Sequence, residues 1–289
     1  DSINPINEEK TFIGTTVTNE YLNGVLEISS DKNNLVGTQA LNLDSYKTKS
    51  KDVLDQIEQF DAHIYKLRDL YTDEELSEYF DYTESQIEGI RYFDGTDEMR
   101  IQASATTTLY LYHYNYSYNS STNKTTISLE TNGYINGIPF LEMGGRTISL
   151  GAVGSSALFM MDGSPYLNAY YQSQNGQPPI YYNYNSSNVS KKTFVGLGVS
   201  MAFPRKIGKT INTGLVHSWS LKQFTARYHG IATGNVNVAG IRSSFAYRKF
   251  KLNSPTIGIS IGKNVGASIS ITVHSGWALE ADIVRTVMY

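Results

Sequence analysis

Between Lys49 and Tyr71 the apolar residues Val53, Ile57, Phe60, Ile64, Leu67 and Tyr71 recur at spacings of four and three. That spacing lines them up on one stripe of a helix and leaves acids and bases on the rest of its surface. In "TDEEL", Thr72 can cap a second helix while the Glu75 side chain returns the hydrogen bond, a reciprocal capping box. "TESQI" repeats the device with Thr83 and Gln86. Two short helices, Thr72 to Phe80 and Thr83 to Tyr92, are therefore expected after the long one. The stripe is too short for a free coiled coil, so it should pack on a sheet or a neighbouring helix.

Elsewhere the period is two. Upstream, "TFIGTTVT", "GVLEISS" and "LVGTQALNL" read as extended segments, with "DKNN" as a polar turn. From Met99 onward alternation takes over. "IQASATTTLYLYHYNYSY" is expected to be a long strand, "NSSTNK" a turn and "TTISLETNGYI" the hairpin partner. Further strands are expected in "RTISLGAVGSSALFMM", "TFVGLGVSMAF", "INTGLVHSWSLKQFTARYHGIAT", "NVNVAGIRSSFAYRKFKL", "TIGISIG" and "VGASISITVHSGWALEADIV". Residues 171–190 carry no charge and two consecutive prolines, which reads as a long exposed loop. The fold class that follows is α+β: an acidic region with a few strands and about three helices over residues 1–98, then a larger antiparallel β-sandwich or open barrel over 99–289.

Within the first long strand, "YLYHYNYSY" places Tyr110, Tyr112, Tyr114, Tyr116 and Tyr118 at every second position. Strict alternation puts all five phenols on one face and Leu109, Leu111 and His113 on the other. The row can stand exposed, suited to stacking on sugars, to a lipid interface or to a neighbouring subunit. Alternatively, acidic helices lie over it and use the rings as core. The covered arrangement is preferred, because an open row of phenols invites aggregation. A second tyrosine group, Tyr181, Tyr182 and Tyr184, falls in the proline-containing segment.

Two other segments alternate large apolar residues with small ones. Val195, Leu197, Val199, Met201 and Phe203 are interleaved with Gly196, Gly198, Ser200 and Ala202. Ile257, Ile259 and Ile261 alternate with Gly and Ser, and Ile269, Ile271 and Val273 do the same after a turn near Lys263 and Asn264. Strands lining an aqueous pore in a bilayer have this pattern, and so do ordinary sandwich strands. Pro255 shortens the first limb below the roughly 9 to 11 residues that a spanning strand takes.

Charge sharpens the division. Residues 1–100 hold 22 acidic and 9 basic side chains, a net of −13, while residues 101–289 hold 5 acidic and 15 basic, a net of +10. Opposed halves of this size are expected to attract each other, or to bring the basic half to an anionic surface such as lipid head groups or a cell wall. Its candidates for anionic-surface contact are Arg205, Lys206, Lys209, Arg242, Arg248, Lys249 and Lys251.

The chain of 289 residues has no cysteine, which removes disulfides, thiolate metal sites and a cysteine nucleophile. A polar opening "DSINPINEEK" without Met, together with many Tyr, Ser, Thr and Asn, points to an exported bacterial product. "FPRKIGKT" ends like a phosphate loop, but Phe203 stands where its first glycine belongs. The five histidines show no ligand spacing, and Glu142 with Asp162 is the carboxylate pair that a hydrolase would have to use. No cofactor, metal or nucleic acid is expected. The leading expectation is a secreted, non-enzymatic, membrane-active or toxin-like protein at an anionic membrane or cell-wall surface. The alternative is an extracellular fibre or surface-layer subunit, or a glycan-binding module. Self-association fits either.

Overall fold

The computed structural model describes residues 10–19, 51–80, 82, 84–96, 99–100, 106–136, 145–155, 157–163, 166–173, 177–184, 190–194, 198–210, 216–248, 257–264 and 266–289. Over these the protein is mostly β, in antiparallel sheets with three helices, so the balance lies further towards strand than the α+β reading expects. Two compact units are present. One comprises residues 1–17, 107–135 and 142–289, and the other 18–106 and 136–141. Residues 10–17 thus group with the sheets and not with the helices that follow them in sequence.

The helices are α1 (Lys51–Leu70), α2 (Asp73–Phe80) and α3 (Glu84–Arg91), close to the expected bounds. The capping box at α2 is real. The Thr72 amide donates to Glu75 Oε2 at 2.9 Å and the Glu75 amide to Thr72 Oγ1 at 3.2 Å. Its counterpart at Thr83 lies outside the described residues, as do the extended segments expected between Gly24 and Leu43. Ile64 and Leu67, from the apolar stripe of α1, are buried with Leu76, Tyr82, Ile87, Ile90 and Phe93. Arg91 ties the three helices: it donates to the Arg68 carbonyl at the end of α1, to the Tyr71 carbonyl at 2.6 Å and to Asp73 of α2 at 2.7 Å. The Arg68 carbonyl lies in the last turn of α1, where the helix itself supplies no amide donor.

The β unit contains β1 (Thr11–Asn19), β2 (Thr106–Asn119), β3 (Lys124–Asn136), β4 (Arg146–Gly154), β5 (Met160–Met161), β6 (Tyr166–Gln172), β7 (Ile180–Tyr184) and β8 (Ser190–Phe194). It continues with β9 (Gly198–Phe203), β10 (Lys206–Thr210), β11 (Val216–Thr233), β12 (Val238–Arg248), β13 (Ile259–Lys263), β14 (Ile269–Val273) and β15 (Trp277–Met288). The large sheet runs β1-β2-β3-β11-β6-β7, with β5 and β10 also paired to β11. A second sheet runs β15-β12-β4-β9-β8, and β13-β14 form a separate hairpin. Neither large sheet closes into a barrel.

Two sequence expectations change here. Residues 171–190 are not one loop. Ile180–Tyr184 pairs with β6, Tyr181 opposite Tyr170, as an edge strand. Pro178 and Pro179 sit just before its first residue, where the missing amide costs no ladder bond, and the Pro178 carbonyl accepts from Trp219 Nε1 at 2.9 Å. "TFVGLGVSMAF" is not one strand either: Phe194 of β8 pairs with Gly198 of β9, so the segment doubles back.

The two larger sheets meet through aromatic rings. Phe224 of β11 lies 4.9 Å from Phe245 of β12 and 5.4 Å from Phe203 of β9. Around them Leu109, Leu111, Ile127, Leu129, Ile148, Leu150, Val199 and Ile241 are fully buried. Arg146 and Glu280 also lie inside, 3.4 Å apart, with Thr107 donating to Glu280. Pairing allows two charges to remain in an apolar interior.

Candidate functional site

The tyrosine row lies on β2, but it does not keep one face. Asn115 adopts φ 58°, the left-handed region that asparagine tolerates and most residues avoid. In a strand this shifts the phase of side-chain alternation, as in a β-bulge. Before it, Tyr110, Tyr112 and Tyr114 face outward while Leu109 and Leu111 are buried. After it, Ser117 faces outward and bonds Thr126 at 2.8 Å. Tyr116 turns to the opposite side, where it donates to the Val236 carbonyl and stacks on Tyr289 at 3.6 Å. His113 meets Tyr289 edge-on at 5.2 Å on that same side, and burial holds its pKa below the ordinary value. The five phenols expected on one face are therefore divided. Tyr118, further along, donates to Asn123 Oδ1 across the turn.

The outward tyrosines belong to a larger arrangement fixed by strand register. Tyr134 of β3, Gln223 of β11, Tyr170 of β6 and Tyr181 of β7 lie in one row across the sheet. Tyr110 joins this row, with its ring 5.8 Å from Tyr134. Tyr170 and Tyr181 are 4.9 Å apart at the other end. The next row is Asn132, Thr225, Asn168 and Asn183. Thr225 donates to Asn132 at 2.8 Å and Asn168 to the Tyr166 hydroxyl at 3.1 Å. The third row is Glu130, Arg227 and Tyr166. Tyr112 completes the aromatic border by packing on Phe12 at 5.9 Å. Tyr134 is 38% exposed and Tyr181 72%.

A charge cluster organises the third row. Glu130 is buried, yet Lys10 reaches its Oε1 at 2.5 Å, Arg227 its Oε2 at 2.7 Å, and Asn132 adds a bond at 3.0 Å. Desolvation works to raise the Glu130 pKa. The hydrogen bonds from Lys10, Arg227 and Asn132 outweigh it and hold the carboxyl below its ordinary value. The Arg227 guanidinium sits between the rings of Tyr166 at 5.2 Å and Tyr114 at 5.8 Å.

The remaining candidates go elsewhere. Tyr184 is buried, its hydroxyl 2.8 Å from that of Tyr171, and Tyr182 is half-buried against it at 5.1 Å. Arg205 is buried too, donating to the Leu221 carbonyl at 2.7 Å, and is an interior strut, not a surface cation. Arg242 pairs with Asp282 at 2.7 Å and donates to the Ile269 carbonyl at 2.8 Å. Lys206 opens β10 and Arg248 ends β12, both half-buried. The Lys209 side chain, Lys249, Lys251 and Glu142 lie outside the described residues.

Sequence reasoning missed Glu130, Arg227 and Lys10. It also missed a Ser–His–Asp grouping: Ser128 Oγ bonds His229 Nδ1, and His229 Nε2 lies 4.0 Å from Asp162. Ser128 is 2% exposed, so its hydroxyl cannot meet an acyl group, and no nucleophile is presented there. Among the described residues no cluster has the ligands for a metal ion, and no helix is long and apolar enough to cross a membrane.

No family model matches the chain, and no curated protein matches its sequence. Among solved structures, Clostridium perfringens delta-toxin aligns at 8% identity and a TM-score of 0.26, over 64% of this chain and 83% of the toxin's. A pore forming protein aligns at 8% and 0.27, over 64% and 87%. The collagen binding domain of Erysipelothrix rhusiopathiae surface protein RspB aligns at 10% and 0.24, over 67% and 68%. These likenesses are remote, and the functional reading rests on this chain's own residues.

Proposed function

We propose that the chain is a secreted, non-enzymatic protein, toxin-like in kind, that attaches to a cell surface through the outer face of its large sheet. The single observation behind this reading is the set of three cross-strand rows, in which exposed tyrosines border amides, a threonine and a guanidinium. Rings left in water on a sheet surface favour association, and a partner surface relieves that cost. The amides and hydroxyls between them favour a hydrated, polar partner.

Crossing of a bilayer by the β13-β14 hairpin does not belong to this reading. Each of its strands has 5 residues, about half of what a spanning strand takes. The test is binding of the fluorescently labelled chain to intact bacterial and animal cells, with dye release from anionic liposomes measured alongside. Tyr134→Ala combined with Tyr181→Ala is expected to lower cell binding about tenfold while circular dichroism stays unchanged. Unchanged binding would remove the face from the proposal, and dye release independent of these residues would place membrane action elsewhere in the chain.

A further inference from the structure

We infer that the partner is an acidic saccharide, its sugar rings lying along the tyrosine row and its carboxylate or sulfate held by Arg227 beside Lys10. This inference rests on the proposed attachment face and adds the chemistry of what it holds.

The row from Tyr110 to Tyr181 crosses β2, β3, β11, β6 and β7. At about 4.8 Å between strands it extends for about 19 Å, room for several sugar units end to end. Its composition separates sugar from lipid. The three rows contain Tyr, Gln, Asn, Thr, Glu and Arg and no aliphatic side chain. A face that dips into a bilayer presents Leu, Trp or Phe opposite Lys and Arg. Tyrosine faces with amides between them meet the apolar faces and the hydroxyls of a polyol together.

The anion site follows from the charge cluster. One buried carboxylate, Glu130, receives two cations, which leaves one positive charge in excess at the surface. Among the described residues the hydrogen bond of Arg227 uses only Nε, so the two terminal nitrogens remain as a planar fork of donors. Tyr114 and Tyr166 flank that fork, and Glu130 fixes its inner edge. A guanidinium already ordered loses little entropy on meeting a carboxylate or sulfate, and such bonds are about twice as strong as neutral ones.

Calorimetric titration of the full chain with sialyllactose and a heparin-derived hexasaccharide, against lactose and maltohexaose, tests the inference. Binding of an acidic probe is expected at least about tenfold tighter than of its neutral counterpart. Arg227→Gln should abolish that preference, and Arg227→Lys should restore only part of it. Because Arg227→Gln leaves Glu130 with fewer partners, Glu130→Gln combined with Arg227→Gln keeps the net charge of the cluster and should show the same loss with a melting temperature no lower than that of Glu130→Gln alone. Equal affinity for acidic and neutral probes, a preference that survives both variants, or binding to phosphatidylserine vesicles alone would overturn the inference. If Tyr134→Ala with Tyr181→Ala lowers cell binding while no saccharide binds, this inference fails and the attachment face stands. If cell binding is also unchanged, both fail.

Discussion

The outer faces of the two sheets have opposite fates. On the second sheet many outward positions are small: Ser149 and Ser200 share a hydrogen bond of 2.5 Å, and Gly240, Ser244 and Ala246 share the outward face of β12 with Arg242. The β13-β14 hairpin lies on that face. Ile261 and Ile269 pack on Val153, Ile259 packs on Ala246 and Trp277, and Arg242 reaches the Ile269 carbonyl. On the large sheet the outward positions are tyrosines and amides, and Tyr134 and Tyr181 stay solvent-accessible. Small side chains admit a backbone to within van der Waals distance, whereas large polar rings project and hold their own contacts at the surface. Residue size at alternate positions thus decides whether a face becomes interior or stays in contact with solvent.

The sharpest way to break the contrast is to enlarge the small face. A Cβ added at Gly240 would lie 1.9 Å from the Ala267 carbonyl oxygen, a backbone atom that cannot swing aside. Gly240→Val is expected to cost about 3 kcal/mol and to lift the hairpin from the sheet. Denaturant melts would show the loss, and hydrogen exchange would show it concentrated at residues 259–273.

The next effect concerns Glu130, the buried carboxylate of the exposed face. Glu130→Gln is expected to cost about 2 kcal/mol at neutral pH, because Lys10 and Arg227 lose a charge-assisted acceptor. The sign of the pH dependence follows from a folded pKa below the ordinary 4.5. The stabilisation is complete above that value and disappears as pH falls through the lower, folded one. The gap between wild type and Glu130→Gln should therefore close in acid. A gap constant from neutral pH to about pH 3 would show that the carboxylate charge is not what holds the cluster.

How much of this was legible in the sequence differs by element. The helices were, since a stripe of period 3.6 and a reciprocal cap are local signals, and Thr72 and Glu75 bond as their spacing implies. The 119–124 turn and the hairpin near Lys263 were local in the same way. Register across non-adjacent strands was not: Glu130 meets Arg227 and Lys10 only after β3 pairs with β11 and β1 joins the sheet edge. The edge strand β7 was hidden because two prolines resemble a loop signal, although they precede the strand and do not interrupt it. The division of the tyrosine row was hidden by Asn115, whose backbone departs from the strand while the sequence still alternates. Asn115→Val, which disfavours positive φ, should cost about 1 kcal/mol, and Asn115→Gly close to nothing. Equal losses from both would assign the cost to the asparagine side chain and not to the backbone.

The smallest stability change belongs to the exposed rings themselves. Tyr134 and Tyr181 keep much of their surface in water, so truncating either removes little buried area, and each loss should stay within about 0.5 kcal/mol. The same truncations remove stacking surface that a ligand would cover, and stacked rings give up about 1 kcal/mol or more each when their partner is lost. Phe224 serves as the internal reference: it lies on β11 next to Gln223 of the outer row but points inward onto Phe245, and Phe224→Ala should cost about 4 kcal/mol. A ring of the core and a ring of the proposed attachment face are thus one strand position apart. Measuring melts and ligand affinity for Phe224→Ala and Tyr134→Ala should show the two effects crossing over. If Tyr134→Ala lowers stability as much as Phe224→Ala does, the outer face is a second core, and no ligand is needed to explain its rings.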